Sequence, residues 1–467
     1  VLQKYYITTR RKSGFSKTEG GAAMFSSSPY WNPILEAMPR EKLREYQFKK
    51  FKQIFTWAYE KSAMYRRLYD EAGIRPEDLR SWEDIRRVPL AEKEHYRQAQ
   101  AKEPWPYGES LCVPLPEVTE FHQTSGTTGQ PVYQPDTWED WEWCTECWAY
   151  ILWAMGFRRE DRVFIPFVYN VFIAYWQGHY ASEKIGCEVI PGGGMGTEER
   201  LLKMKELRPT AFMATPTYAL NMAAVCRDKL GIDPRSLGIK KIVCAGEPGA
   251  SIPATKRRLE EAWGAKVYDH AGGTELGPWG FECVAQPGGL HVNEGFFLAE
   301  ILDLETGEPI EEPGKLGKLV LTSFDRKAQP CVRYDTKDLI MWGEPCECGR
   351  TFRVAKGGVH GRIDHIVKVK GVLFSPVSVE EVVRATPELG DEYELVVSRR
   401  GEVDDILLRA ELKPGLSAES VTELVERLGR ELWHKTNLHI RVELCPFGTL
   451  PRYEGKAKRF KDLRHTH

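Results

Sequence analysis

The chain has 467 residues, with 65 Lys plus Arg against 67 Asp plus Glu and a formal net charge of −2. Hydrophobic residues at 42% and charged residues at 28% are globular proportions; they exclude general disorder, and the near-zero charge argues against a nucleic-acid binder driven by bulk electrostatics. The 11 cysteines, odd in number and without dense spacing, argue against a secreted disulfide scaffold and fit a reducing, cytoplasmic compartment.

Val1 to Ala23 carries Lys4, Arg10, Arg11, Lys12 and Lys17 against Glu19 and has no apolar stretch, so it is not a signal peptide. Residues 1–30 are read as an extension, disordered or left over from upstream sequence. Glu41 to Ser62 predicts a helix with a charged face. Val163 to Ser182 holds no Asp, Glu, Lys or Arg, yet Pro166, Asn170, Gln177, Gly178 and His179 point to a buried strand and core helix rather than a membrane span. No membrane partner is expected. Ala211 to Pro216 and Ile239 to Pro248 read as strands separated by helices such as EERLLKMKEL, the order of a parallel sheet with crossovers.

From His291 to Met341 the pattern shifts to strands, FFLAEILD and KLVLTSF, which predicts a β subdomain on the body. The last hundred residues read β, α, β, β, α, β. Ser375-Pro376 opens the first helix, and Val421, Leu424, Val425, Leu428 and Leu432 line one face of the second. The expected fold class is α/β: a large body of several subdomains over 31–361, then a small mobile α+β domain over 362–467.

The sharpest local signal is TSGTTGQP, Thr124 to Pro131. Gly126 and Gly129 let the backbone turn close to an anion, and Thr124, Ser125, Thr127 and Thr128 offer hydroxyls, which suits a polyphosphate. It is not a Walker A loop, because the glycines are too close and Gln130 stands where lysine would follow. A Ser/Thr/Gly surface loop is the plain alternative. Further along come AGEPG (Ala245 to Gly249), DHAGGTE (Asp269 to Glu275), VRYDTKD (Val332 to Asp338), GRIDHIVKVKG and PRYEGKAKR.

This ordered set, from about Trp31 to Lys461, resembles the adenylate-forming enzymes, and within them the phenylacetate–CoA ligase-like branch. The resemblance implies that ATP and an aromatic carboxylic acid such as phenylacetate give an acyl-adenylate, which coenzyme A converts to the thioester. It places Ser125, Gly126, Thr127, Thr128 and Gly129 on the phosphates, and Glu247, Pro248 and Asp269 on the adenine side. Asp338 falls on the ribose hydroxyls with Arg362 beside it, and Asp364 on the domain hinge. Lys456, Thr274 and Glu275 are the implied catalytic residues, with Glu275 holding Mg²⁺. Lys456 supplies positive charge where an anion meets a polyanion.

Two departures stand out. Ala271 replaces the family's tyrosine, and FVYNVF replaces a glycine-rich aromatic run. Phe167, Tyr169 and Phe172 keep an aromatic lining suited to an aryl acid, with Asn170 placed to reach a polar ring substituent; core packing would also produce these aromatics.

The Cys-x-Cys pair of CECG, Cys346 and Cys348, lies in a Gly/Pro-rich turn, as do Cys283 and His291 in ECVAQPGGLH. Some members of the branch with a comparable segment bind zinc, so the resemblance implies a structural Zn²⁺ on Cys283, His291, Cys346 and Cys348. Cys144 and Cys147 have the commoner zinc spacing but fall in a Trp-rich helical run, which favours core packing. The resemblance also admits a homodimer. Other readings are an adenylate-forming enzyme with a non-CoA acceptor, a non-catalytic nucleotide- or metal-binding relative, and a phosphotransferase that would release ADP.

Overall fold

The computed structural model describes residues 28–124, 130–173, 175–363, 367–369, 372–400, 403–415, 418–453 and 457–464. A one-turn helix (Pro33–Glu36) is followed by α1 (Arg40–Lys61), α2 (Ala63–Glu71) and α3 (Lys93–Gln100). In α1, Leu43, Gln47, Phe51, Ile54, Phe55 and Ala58 recur at three- and four-residue spacing and form its buried stripe. The hairpin of β1 (Glu120–Gln123) and β2 (Tyr133–Asp136) brackets the Ser/Thr/Gly loop. Helix α4 (Trp138–Ala154) follows at once, opened by a reciprocal cap between Thr137 and Asp140.

The alternation predicted from the sequence then appears: β3 (Arg162–Ile165), α5 (Trp176–Ile185), β4 (Glu188–Pro191), α6 (Thr197–Leu207), β5 (Ala211–Ala214), α7 (Pro216–Asp228), β6 (Lys241–Cys244), α8 (Pro253–Trp263) and β7 (Lys266–Gly273). After these come β8 (Gly277–Phe281), β9 (Gly289–Val292), β10 (Phe297–Leu302), β11 (Leu316–Ser323), β12 (Tyr334–Met341), β13 (Val354–Lys356) and β14 (Gly361–Arg362).

One eight-stranded sheet runs β13-β9-β8-β7-β6-β5-β3-β4. It is parallel from β4 to β7 and antiparallel beyond. Every residue of β5 is buried, as expected for a strand covered by helices on both faces. The sheet β10-β11-β12-β14 is the β subdomain foreseen between His291 and Met341. Val163 to Ser182 contains β3 and α5, and among the described residues no helix is long and apolar enough to cross a membrane.

The C-terminal part holds the hairpin β15 (Val367–Val369) and β16 (Val372–Phe374), then α9 (Pro376–Ala385), β17 (Leu389–Arg400), β18 (Val403–Leu412), α10 (Ala418–Thr436), β19 (Arg441–Cys445) and β20 (Phe460–Asp462). Ser375 accepts from the Val377 N–H and Pro376 starts α9, as the sequence indicated. Its core, which includes Val379, Val383, Leu395, Leu408, Leu424, Leu428 and Leu432, draws on residues of this part alone. The sheet order is β19-β18-β17-β20. Strand β20 escaped the sequence reading, because three residues inside the charged run KRFKDLR show no alternation; pairing with β17 makes the strand.

Candidate active site

The turn from β7 to β8 carries Thr274 and Glu275. Glu275 is buried, with its Oε1 3.1 Å from Lys93 Nζ at the start of α3. The carbonyls of Thr274 and Glu275 accept from Arg326 Nη1 at 2.9 and 3.2 Å. The other edge of that guanidinium forks onto Asp136 at the end of β2, with both contacts at 2.7 Å and both side chains fully buried. One arginine thus fastens the hairpin around the Ser/Thr/Gly loop to the Thr274–Glu275 turn. Burial pushes Asp136 up to about 6, with Arg326 opposing.

Asp140 adds a second fastening, because its carboxylate accepts from the N–H groups of Lys327 and Ala328. The sequence reading missed Arg326, Asp136 and Lys93: they belong to no compact motif, and only the fold brings them together.

Asp338 on β12 stands opposite Arg362 on β14. Arg362 Nη1 lies 3.3 Å from Asp338 Oδ1 and donates to Thr336 O at 3.1 Å. The Tyr334 phenol is pushed well up, first by burial and then by the nearby Glu275 carboxylate, while Arg362 opposes. Within VRYDTKD, Arg333 turns away and forks onto Glu300 at 2.9 Å. Lys337, at φ +63, carries its amine onto Asp335 and Glu92.

Glu247 follows β6. Its Oε1 accepts from Thr217 N at 2.8 Å, and its Oε2 accepts from Ala457 N, also at 2.8 Å. The carboxylate expected on the adenine side is thus occupied by two backbone donors, while the neighbouring Pro248 is exposed. Asp269 accepts from the Ser251 hydroxyl, and its own N–H donates to Glu282. Burial pushes Asp269 up to about 6, with Ser251 opposing. Ala271 lies opposite Gly280 on β8, two small residues facing where the family has tyrosine on one side. Ser125 through Gly129, Asp364 and Lys456 lie outside the described residues. The neck of the loop is described: Thr124 and Val132 exchange a backbone bond, and Thr124 Oγ1 accepts from Val132 N at 3.0 Å.

In the loop after β3, Phe167 and Tyr169 pack against the same core cluster through different partners. Phe167 packs edge-on against Tyr175. Tyr169 leans onto Trp176, and its hydroxyl meets His179 Nδ1 at 2.8 Å. Phe172 is exposed, with Val168 and Val171 beside it. Asn170 Oδ1 accepts from Phe172 N within the loop, so that oxygen is already engaged.

The four proposed metal ligands do come together. Their ligand atoms all lie within 4.8 Å of one another. Cys283 Sγ is 3.6 Å from Cys346 Sγ, and Cys348 Sγ is 3.5 Å from His291 Nε2. A tetrahedral zinc with sulfur at about 2.3 Å implies edges of about 3.8 Å, so the spacing fits that ion. His291 Nδ1–H donates to Phe352 O at 3.0 Å, leaving Nε2 as the ligand atom. A hydrogen bond with Cys283 and then His291 hold the Cys348 thiol far below its usual range, while Cys283 is pushed up.

The Cys-x-Cys turn closes through Gly349 at φ +79, where an added Cβ would strike the Tyr30 hydroxyl. Arg350 then pairs with Glu36 in a buried bond of 2.6 Å. All 11 cysteines are free, and Cys144 and Cys147 are fully buried in the α4 core.

Comparison with known proteins agrees with this geometry. The profile of the AMP-binding enzyme C-terminal domain matches residues 371–464. The phenylacetate–coenzyme A ligase of Thermus thermophilus is 35% identical over 453 residues, spanning 93% of this chain and 99% of the relative. The chain belongs to the phenylacetate–CoA ligase family of adenylate-forming enzymes. The Escherichia coli phenylacetate–coenzyme A ligase is 30% identical over 438 residues, covering 92% of this chain and 97% of the relative.

Among solved structures, a 2-hydroxyisobutyryl-CoA ligase in the postadenylation state with 2-HIB-AMP aligns at TM-score 0.88 and 29% identity, covering 93% of both chains. The same relative with 2-HIB-AMP and CoA in the thioesterification state reaches 0.71 over 94% of this chain and 93% of that one. Over nearly the same share of the chain, the fit is closer to the postadenylation arrangement of that relative than to its thioesterification arrangement.

Proposed function

We propose that this chain is an AMP-forming acid–coenzyme A ligase acting on an aromatic carboxylic acid such as phenylacetate. The acid's carboxylate attacks the α-phosphate of ATP, forming the acyl-adenylate and releasing pyrophosphate. The thiol of coenzyme A then attacks the acyl carbon and AMP leaves. The observation that carries the reading is the buried Arg326 bridge, which fastens the hairpin around the Ser/Thr/Gly loop to the Thr274–Glu275 turn, in a chain matched along nearly its whole length by phenylacetate–CoA ligases.

In this reading Ser125 to Gly129 cradle the phosphates, Asp338 accepts from the ribose hydroxyls, and Thr274 donates to the α-phosphate. Pro248 and Asp269 border the nucleotide. The body spans 31–361 and the small domain 362–467, with the hinge at Asp364. Lys456 comes in with the small domain and neutralises charge as the carboxylate meets the triphosphate. Glu275, a buried oxygen donor facing one ammonium group, suits Mg²⁺, which supplies further charge neutralisation when bound. Cys283, His291, Cys346 and Cys348 suit a structural zinc, since a closed four-ligand set leaves no position for a reacting water. The 11 free thiols support a reducing, cytoplasmic setting.

A short 2-hydroxy acid is the second reading. It is favoured by the dispersed aromatics of the loop after β3 and by the likeness to 2-hydroxyisobutyryl-CoA ligase. ATP–pyrophosphate exchange over a panel of aryl and 2-hydroxy acids decides between them, with Lys456→Ala as control. Exchange should respond to one class, and Lys456→Ala should lower it at least ~100-fold while ATP binding survives. Silence of the unmutated protein across the panel would overturn the ligase reading in favour of a non-catalytic relative.

A further inference from the structure

We propose that Glu247 is a positioning residue for the adenylation step, holding the backbone beside Lys456 in the body–small-domain arrangement seen here. The inference rests on the ligase reading above. One oxygen of the carboxylate takes the N–H of Thr217 in the first turn of α7, a helix-start donor without an intrahelical partner. The other takes the N–H of Ala457, the next residue after Lys456 in the chain. Glu247 belongs to the body and Ala457 to the small domain, so a single side chain joins the two.

Two further ties cross the same boundary. Arg459 Nη1 donates to Thr217 Oγ1 at 2.8 Å, while its Nη2 pairs with Glu392 at 3.0 Å inside the small domain. On α8, Arg258 donates to Thr386 O at 2.7 Å, Asp391 Oδ1 at 3.1 Å and Gly390 O at 3.3 Å. Thr217 therefore meets the small domain directly through its hydroxyl and indirectly through Glu247. Burial raises the Glu247 carboxyl, and the Thr217 and Ala457 donors and the Arg459 guanidinium oppose it.

Each of these contacts spans the body and the small domain, so each depends on how the small domain is placed. Rotation to the arrangement of the CoA-bound relative, which aligns at TM-score 0.71 against 0.88, moves Ala457, Arg459 and Asp391 relative to Thr217, Glu247 and Arg258. Interactions made in one state alone bias the equilibrium towards it. Glu247 and Arg258 thus favour adenylation and are released for thioester formation.

The test separates the two half-reactions in Glu247→Gln and Arg258→Ala, with unmutated protein and Lys456→Ala alongside. Pyrophosphate exchange reports adenylation. The prepared adenylate of the acid most active in the panel, mixed with CoA, reports thioester formation. Glutamine keeps the shape of Glu247 but turns an amide N–H₂ towards one of two backbone donors, so exchange should fall about 10–100-fold. Thioester formation should stay within about 2-fold of the unmutated rate, a split that general destabilisation would not produce. Arg258→Ala, remote from the nucleotide motifs, should show the same split more weakly.

Exchange at full rate in both variants, or equal loss of both half-reactions, overturns the proposal. Absence of exchange in the unmutated protein brings down the ligase reading and this inference together.

Discussion

The zinc-type cluster and the nucleotide site are built in opposite ways. Cys283, His291, Cys346 and Cys348 come from a single antiparallel corner of the body, where β8, β9 and the turn before β13 meet. Their atoms already stand at ligand spacing, and Arg350–Glu36 clamps the turn to the N-terminal segment. The residues proposed to meet the nucleotide are spread over the β7–β8 turn, β12, β14, the hairpin around the Ser/Thr/Gly loop and the small domain. Within the body, the fully buried Arg326–Asp136 pair cross-links the hairpin and the β7–β8 turn; across the domain boundary the ties are the Glu247 and Arg459 hydrogen bonds and the partly exposed Arg258–Asp391 ion pair. Parts that must stay fixed are fastened by desolvated pairs, and the part that must change partners is held lightly.

If that contrast is right, breaking a body cross-link should damage the fold more than breaking a boundary tie. Arg326→Met leaves Asp136 buried and unpaired, and should cost about 3–5 kcal/mol in denaturant unfolding. The double variant Arg326→Met with Asp136→Leu should recover a large part of that loss. A near-zero cost for the single change would put Arg326 on the lightly held side.

The metal corner should respond next. Cys348→Ser, or prolonged exposure to a zinc chelator, should lower the thermal midpoint by about 5–10 °C. Protein purified without chelator should carry about one equivalent of zinc; less than about half an equivalent would argue against the four-ligand assignment.

Much of the frame was legible in the sequence. The β–α alternation appears as predicted because β-branched and apolar runs of strand length sit between amphipathic helices. The four metal ligands and the Asp338–Arg362 pair were named before the fold brought them together. Arg326 was not, because SFDRKAQP looks like an ordinary charged turn and its partner Asp136 lies 190 positions away. The tie made by Glu247 was hidden for a similar reason: AGEPG suggests a nucleotide contact, and only the tertiary structure reveals the Ala457 N–H on its second oxygen. The packing of the aromatic loop after β3 was not legible, because alternation in a short apolar run cannot say which rings face a cavity and which pack on the next helix.

The smallest expected effect concerns pH. Asp269 titrates near 3.9 when unfolded and at about 6 in the folded chain, chiefly through burial. Between those values the native state holds more protons, so the contribution of Asp269 to stability declines as pH rises from about 4 to 6 and stays low above. Asp269→Asn should therefore raise stability by about 1–3 kcal/mol at pH 7.5 and change little near pH 4. A gain that is equal at both pH values would contradict this assignment.

The most direct measurement of the central claim is product analysis in one tube containing the unmutated protein, Mg²⁺, ATP, coenzyme A and an acid drawn from the aryl and 2-hydroxy panel. AMP, pyrophosphate and acyl-CoA should appear in equal amounts with at least one acid. ADP in place of AMP, or AMP release without a thioester, would contradict an AMP-forming acid–CoA ligase.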